Sequence, residues 1–245
     1  MSRDAYRIWK ISPKVEAEEE AKLDKMLMGY GSITAFIAPT NSGKSNLIVN
    51  LLNRRCFYRK KFDHVFVMSP TMEVDAVWSA AKGVDHVWDH YDDEVVKELY
   101  EAQLACIKKN GRAETPSILL IVDDCIAEIP KQHSAINSLS TKLRHSKITL
   151  WLTSQKFTRI PVMLRNQVRY WVLFRAACKN KLERDAIVSE VGASVAEEAF
   201  EALWKACGDN PWNFMVVSVR SPVNKMFRRE FQSYLVPAEE NPTPE

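Results

Sequence analysis

A chain of 245 residues, 46% hydrophobic and 27% charged, has the make-up of a water-soluble globular protein with a sizeable core. No apolar stretch approaches the ~18 residues of a membrane span, and the N-terminus lacks the apolar region of a secretory signal, so an integral membrane protein is not expected. The net charge of +3 conceals a basic segment at residues 141–184, where eleven Lys or Arg face the single acid Glu183. Such density points to a polyanionic partner, nucleic acid above all.

Residues 1–30 read as an appendage, with an acidic, helix-like stretch at 15–28 that ends at Gly29-Tyr30-Gly31. The apolar run 33–37 predicts a buried strand, 38–45 a loop and 46–52 an apolar helix, closed by the basic cluster 54–61. A second strand at 64–69 stops at Pro70, and a polar stretch containing Trp78 and Trp88 follows. Residues 92–110 form a helix with Val95, Val96, Leu99, Leu104 and Ile107 as its apolar stripe. Strands are expected at 118–122, 148–153, 170–174 and 213–219, a helix at 132–145, a helical region at 181–207, and an edge strand within 226–235. Residues 237–245, with three prolines, read as a disordered tail, which leaves 31–236 as the folded domain. Near-continuous apolar strands alternating with helices predict an α/β fold, a mostly parallel sheet covered on both faces. The five cysteines (56, 106, 125, 178 and 207) are scattered and form no C-x-x-C pair, as expected of reduced thiols in a cytosolic protein.

The strongest signal is Ala38-Pro39-Thr40-Asn41-Ser42-Gly43-Lys44-Ser45 between a buried strand and an apolar helix. It matches a P-loop except at Ala38, which stands where the strict pattern has its first glycine. Gly43 lets backbone N–H groups approach an anion at a helix N-terminus. Lys44 can reach the β- and γ-phosphates of ATP, and the Ser45 hydroxyl can ligate Mg²⁺. Five apolar residues followed by Asp123 and Asp124 fit a Walker B strand, with carboxylates at its carboxyl end. Asp123 would hold Mg²⁺, directly or through water, and Asp124 would orient or deprotonate the attacking water, with Glu128 as the alternative. The strand ending Leu152-Thr153-Ser154-Gln155 is expected between the P-loop and Walker B strands, where Gln155 could sense the γ-phosphate. Arg144 could reach a neighbouring subunit's nucleotide as an arginine finger, with Arg165 and Arg169 as rivals. A nucleoside or small-molecule kinase and a non-motor ATP-dependent assembly switch remain alternatives.

Residues 38–45, the Ile121-Val122-Asp123-Asp124 strand end, Leu143-Arg144-His145 and Thr153-Ser154-Gln155 occur in an order and spacing that resemble the viral genome-packaging ATPases. These belong to the FtsK/HerA-type P-loop group of poxviruses, iridoviruses, phycodnaviruses and virophages. The resemblance covers roughly residues 31–175. It implies an additional-strand, RecA-like P-loop fold and a homo-oligomeric ring, pentamer or hexamer, that drives double-stranded DNA into a preformed capsid with ATP. It further implies docking to a capsid or portal-vertex protein, in the host-cell cytoplasm or viral factory or on the virion. By the same resemblance Lys44 and Ser45 bind phosphate and Mg²⁺, Asp123 and Asp124 form the Walker B pair, and Gln155 is the sensor.

Overall fold

The computed structural model describes residues 23–72, 75–130 and 134–237. Most of the expected appendage, the tail from residue 238, and Gln132 and His133 at the expected start of a helix lie outside the described residues. The apolar runs become strands β1 (Ile33–Ile37), β2 (His64–Met68), β3 (His86–Trp88), β4 (Ile118–Val122), β5 (Ile148–Ser154), β6 (Val168–Phe174), β7 (Phe214–Ser218), β8 (Phe227–Arg229) and β9 (Ser233–Leu235). They form one nine-stranded sheet in the order β3-β2-β4-β5-β1-β6-β7-β8-β9. Strands β1 to β6 are mutually parallel, and β7, β8 and β9 close one side in antiparallel pairing.

Strands β1, β4 and β5 are buried at every residue, as strands covered on both faces must be. Their side chains alternate between two cores. Ile118, Leu120 and Val122 enter one, while Leu119 and Ile121 enter the other, beside Phe36 and Trp151. Helix α1 (Lys44–Asn53) seals the second core with Ile48, Leu51 and Leu52. The first core is covered from α2 (Asp93–Asn110) through Val96, and from α3 (Ala135–Ser140) and α4 (Leu143–Ser146) through Ile136, Leu139 and Leu143. Short α5 (Val162–Arg165), α6 (Lys181–Val191) and α7 (Glu197–Ala206) complete that layer, and α8 (Val223–Met226) precedes β8. Asp92 caps α2 by accepting from the N–H groups of Glu94 and Val95. All five cysteines are free, and burial pushes the thiols of Cys125 and Cys207 up to about 12.

The helical region expected at 181–207 holds two helices, α6 and α7, broken after Gly192. A Cβ at Gly192 would lie 2.5 Å from the Val188 carbonyl oxygen and 2.9 Å from the Phe200 ring, so only glycine permits the tight corner. The break returns the chain to the edge it left, which is why β7 runs antiparallel to β6 rather than continuing the parallel series. The helix expected at 132–145 likewise resolves, where described, into α3 and α4. Strand β3 was missed because a three-residue edge strand is too short to show a period.

The last part of the expected appendage is not loose. Residues 23–30 form turns, and Leu27 and Met28 are buried in the α1 core. The Tyr58 hydroxyl donates to the Met28 carbonyl at 2.7 Å and accepts from the Met28 N–H at 2.6 Å. The buried Arg228 guanidinium donates to the carbonyls of Lys25 and Met26. Tyr58→Phe would strand the Met28 backbone pair in the core. We expect it to cost ~1–3 kcal/mol of unfolding free energy in urea titration, and an unchanged midpoint would show that this segment contributes nothing to the domain's stability.

Candidate active site

The carboxyl ends of β1, β5 and β4 lie side by side, with β5 in the middle. Each delivers one part of the site. After β1 the Ala38 N–H donates to the Ser154 carbonyl at 3.1 Å, continuing the ladder with β5. Ala38 is fully buried and does not share the positive φ of Asn41 (61°) and Gly43 (83°), so alanine serves where the strict motif has glycine. Pro39 and Thr40 carry the chain out to the exposed Asn41, and Ser42 is buried beneath the turn. Gly43 caps α1 in the left-handed region, which a glycine adopts at little cost. Lys44 and Ser45 begin the helix, where N–H groups and the helix dipole favour an anion.

Lys44 is 7% exposed, and its Nζ lies 2.5 Å from Asp124 Oδ1. Asp124 follows β4 with φ 54°, a left-handed conformation that Asp tolerates better than most residues. The two consecutive carboxylates meet different surroundings. Asp123 is 1% exposed: Thr153 donates to Oδ1 at 2.6 Å, while Ser69 and the Trp78 indole donate to Oδ2 at 3.1 and 3.2 Å. The Thr153 hydroxyl also accepts from the Asp124 N–H at 2.9 Å, tying β5 to both aspartates. Burial raises the Asp123 carboxyl above its ordinary range, opposed by the Thr153 hydroxyl, the Lys44 charge and Ser69.

Gln155 is exposed immediately after β5, on the same edge of the sheet as Lys44 and Asp124. The Glu128 Oε2 accepts from the Tyr91 N–H at 2.8 Å. Arg144 lies in α4, before β5 begins, and lines a small cavity with Gly31, Arg169 and Arg220 at the opposite, N-terminal edge of the sheet. Within one chain it is therefore remote from Lys44. Arg165 pairs with Glu190 at 3.1 Å. Sequence reasoning missed Ser69 and Trp78 as partners of Asp123, and gave Thr153 no role of its own. Only tertiary packing brings these residues to the carboxylate.

The donor set suits a divalent ion that arrives with a nucleotide. Among the described residues no group of three or more His, Cys, Asp or Glu side chains could hold a metal alone. Mg²⁺ commonly takes one or two protein oxygens and completes its shell with phosphate and water. The Ser45 hydroxyl and the remaining acceptor capacity of Asp123 and Asp124 match that requirement.

The family model described as Poxvirus A32 protein matches residues 23–191, which takes in the loop, both aspartates and the strands that carry them. The chain belongs to this family. A protein of Invertebrate iridescent virus 6, "Uncharacterized protein 075L", is 29% identical over 175 residues, a stretch covering 70% of this chain and 65% of that protein. Among solved structures, the genome packaging NTPase B204 of Sulfolobus turreted icosahedral virus 2, in complex with AMP, superposes with a TM-score of 0.57. The match, at 18% identity, covers 80% of this A32-family chain and 95% of B204. The cytoplasmic domain of the Type VII secretion ATPase EccC from Thermomonospora curvata gives a TM-score of 0.53 at 16% identity, over 78% of this chain and 24% of that one. These likenesses establish the P-loop ATPase fold, and family and fold together bear out the kinship with viral packaging ATPases read from the motifs.

A buried acid with a raised pKa supports folding most below its unfolded value of 3.8 and loses that contribution as pH climbs through its folded value. Asp123→Asn removes the titration. In urea denaturation across a pH series, wild-type stability relative to this variant should therefore decline from about pH 4 upward and then level off. A difference independent of pH would refute the account of Asp123 as a carboxylate strained by burial.

Proposed function

We propose that this chain is an ATP-hydrolysing motor that assembles as a homo-oligomeric ring and moves double-stranded DNA into a preformed capsid. The observation that carries the reading is the meeting of Lys44 and Asp124 at the mouth of a helix-capping loop, with β5 between their strands. The likeness to B204, a genome packaging NTPase that has also been solved in complex with ATP-gammaS, supports the same assignment.

In this reading the backbone of residues 38–45 cradles the phosphates and Lys44 neutralises them. Ser45 and Asp123 would hold Mg²⁺, which would supply charge neutralisation to the bound phosphates. A phosphate competes with Asp124 for the Lys44 ammonium, and the released carboxylate orients the attacking water and takes its proton. Gln155, exposed at the same edge of the sheet, reports on the γ-phosphate. Arg144 cannot act on its own chain's nucleotide from the opposite edge of the sheet. It serves as a finger only if ring assembly brings it to the neighbour's site.

The DNA-facing region belongs to the basic N-terminal edge, where Arg144, Arg169 and Arg220 share one cavity and Lys142 is exposed nearby. Such groups bind phosphate without reading bases, as suits a motor that must accept any sequence. A capsid or portal-vertex protein would anchor the ring, in the cytoplasm or viral factory of the infected cell.

Steady-state ATP hydrolysis by the full chain should rise on addition of duplex DNA, and the stimulation should shrink across an ascending salt series. Lys44→Ala and Asp124→Asn should each lower turnover by about 100-fold or more. Equal rates with and without DNA at every salt concentration would reject the motor and leave a kinase or an assembly switch.

A further inference from the structure

A cleft of about 340 Å³ opens beside the P-loop on the flank away from the aspartates. Its floor is helix α1 at Leu47 and Asn50, and its far wall comes from the start of β7 and the β8–β9 turn, including Phe231 and Gln232. Trp212 forms one side. It is 59% exposed although it is among the largest apolar side chains in the protein. Its indole lies so close to the loop that a Cβ on Gly43 would sit 3.3 Å from Trp212 Cδ1.

Sheet order gives the cleft its meaning. Asp123 and Asp124 follow β4, two strands to one side of β1; β6 and β7, which precede and follow the Trp212 segment, lie on the other. A triphosphate held by residues 38–45 with its terminal phosphate toward Lys44 and Asp124 must point its opposite end toward Trp212. There an exposed indole, the Phe231 ring and the Leu47 side chain offer flat apolar surface. Asn50 and Gln232 add carboxamides: the Asn50 amide donates to the Asn46 carbonyl at 2.8 Å and the Gln232 amide to Glu230 at 3.1 Å, and their oxygens can accept from the edge of a heterocycle. The volume falls within the ordinary range of a small-molecule subsite.

We propose that this cleft is the nucleobase subsite and that Trp212 stacks on the purine ring of the bound nucleotide. This rests on the reading of residues 38–45 as a triphosphate cradle, and it adds the residue that distinguishes a nucleotide from a bare polyphosphate. Gly43 then has two constraints on it: a left-handed backbone for the loop, and no side chain where the indole passes. Trp212 packs mostly against open cleft, so its removal should leave the fold intact.

The test compares ATP with inorganic tripolyphosphate, each with Mg²⁺, by titration calorimetry on the full chain. Wild type should bind ATP more tightly than tripolyphosphate. Trp212→Ala should weaken ATP about tenfold while leaving tripolyphosphate unchanged, and Trp212→Phe should restore most of the ATP affinity. Unchanged ATP affinity in Trp212→Ala would overturn the proposal while leaving the cradle standing. An equal fall for both ligands would also overturn it, by showing that the indole supports the loop instead of the base. A change in oligomeric state with ATP and tripolyphosphate still discriminated would reassign Trp212 to a subunit interface and reject the subsite. If wild type binds neither ligand, the nucleotide reading itself fails and the proposal goes with it.

Discussion

The contact between Lys44 and Asp124 depends on β5 standing between the strands that carry them. Adjacent strands lie about 4.8 Å apart, so the P-loop and aspartate strands are separated by roughly 10 Å. That gap leaves room above the end of β5, and only a long side chain can cross it. Lys44 does so, reaching the oxygen of a residue whose own strand is two positions away. The inserted strand is thus a spacer as well as a scaffold, and Thr153 at its end bonds both aspartates across the space it creates.

Two consecutive carboxylates meet different surroundings at the end of β4. Asp123 ends the regular strand and turns inward to three donors, which fix its direction and compensate its burial. Asp124 steps into the left-handed region and faces the loop, 26% exposed. In the proposed function the buried acid, held by fixed donors, would anchor an ion, and the more exposed acid would give up its ammonium to phosphate. The small strain at Asp124 is tolerated because the Thr153 hydroxyl accepts from its N–H and Lys44 neutralises its side chain.

What could be read in the chain, and what could not, follows from the range of the interactions. Strands β1, β2, β4, β5 and β6 announce themselves because burial on both faces demands unbroken apolar runs, and α2 because its stripe recurs at helical spacing. The insertion of β5 was legible too, since a whole strand and helix separate α1 from Asp123 and the next strand ends in polar residues. The corner at Gly192 was not, because its cause is the Phe200 ring packing back on it. Ser69, Trp78 and Trp212 meet partners that were equally hidden. Each sits in a different loop or turn, and only the folded sheet carries them to Asp123 or Gly43. Local periodicity records which face a residue takes, but not which distant residue it will meet there.

The sheet also separates the two chemistries that the proposed motor would have to join. Its C-terminal edge bears Lys44, Asp124 and Gln155, and its N-terminal edge bears Arg144, Arg169 and Arg220. Strand β5 runs between them, seven residues long, a span of roughly 23 Å, with every side chain buried. A strand packed so tightly does not bend between its ends; displacement at Thr153 must shift the strand as a body or repack its neighbours. In the proposed motor, exchange of Lys44 between Asp124 and phosphate alters the charge held above Thr153 at one end. The other end follows directly on α4, where Arg144 resides. The shortest route from phosphate chemistry to the basic edge is therefore along β5 itself, and the bond from Thr153 to Asp123 is where such a route would begin.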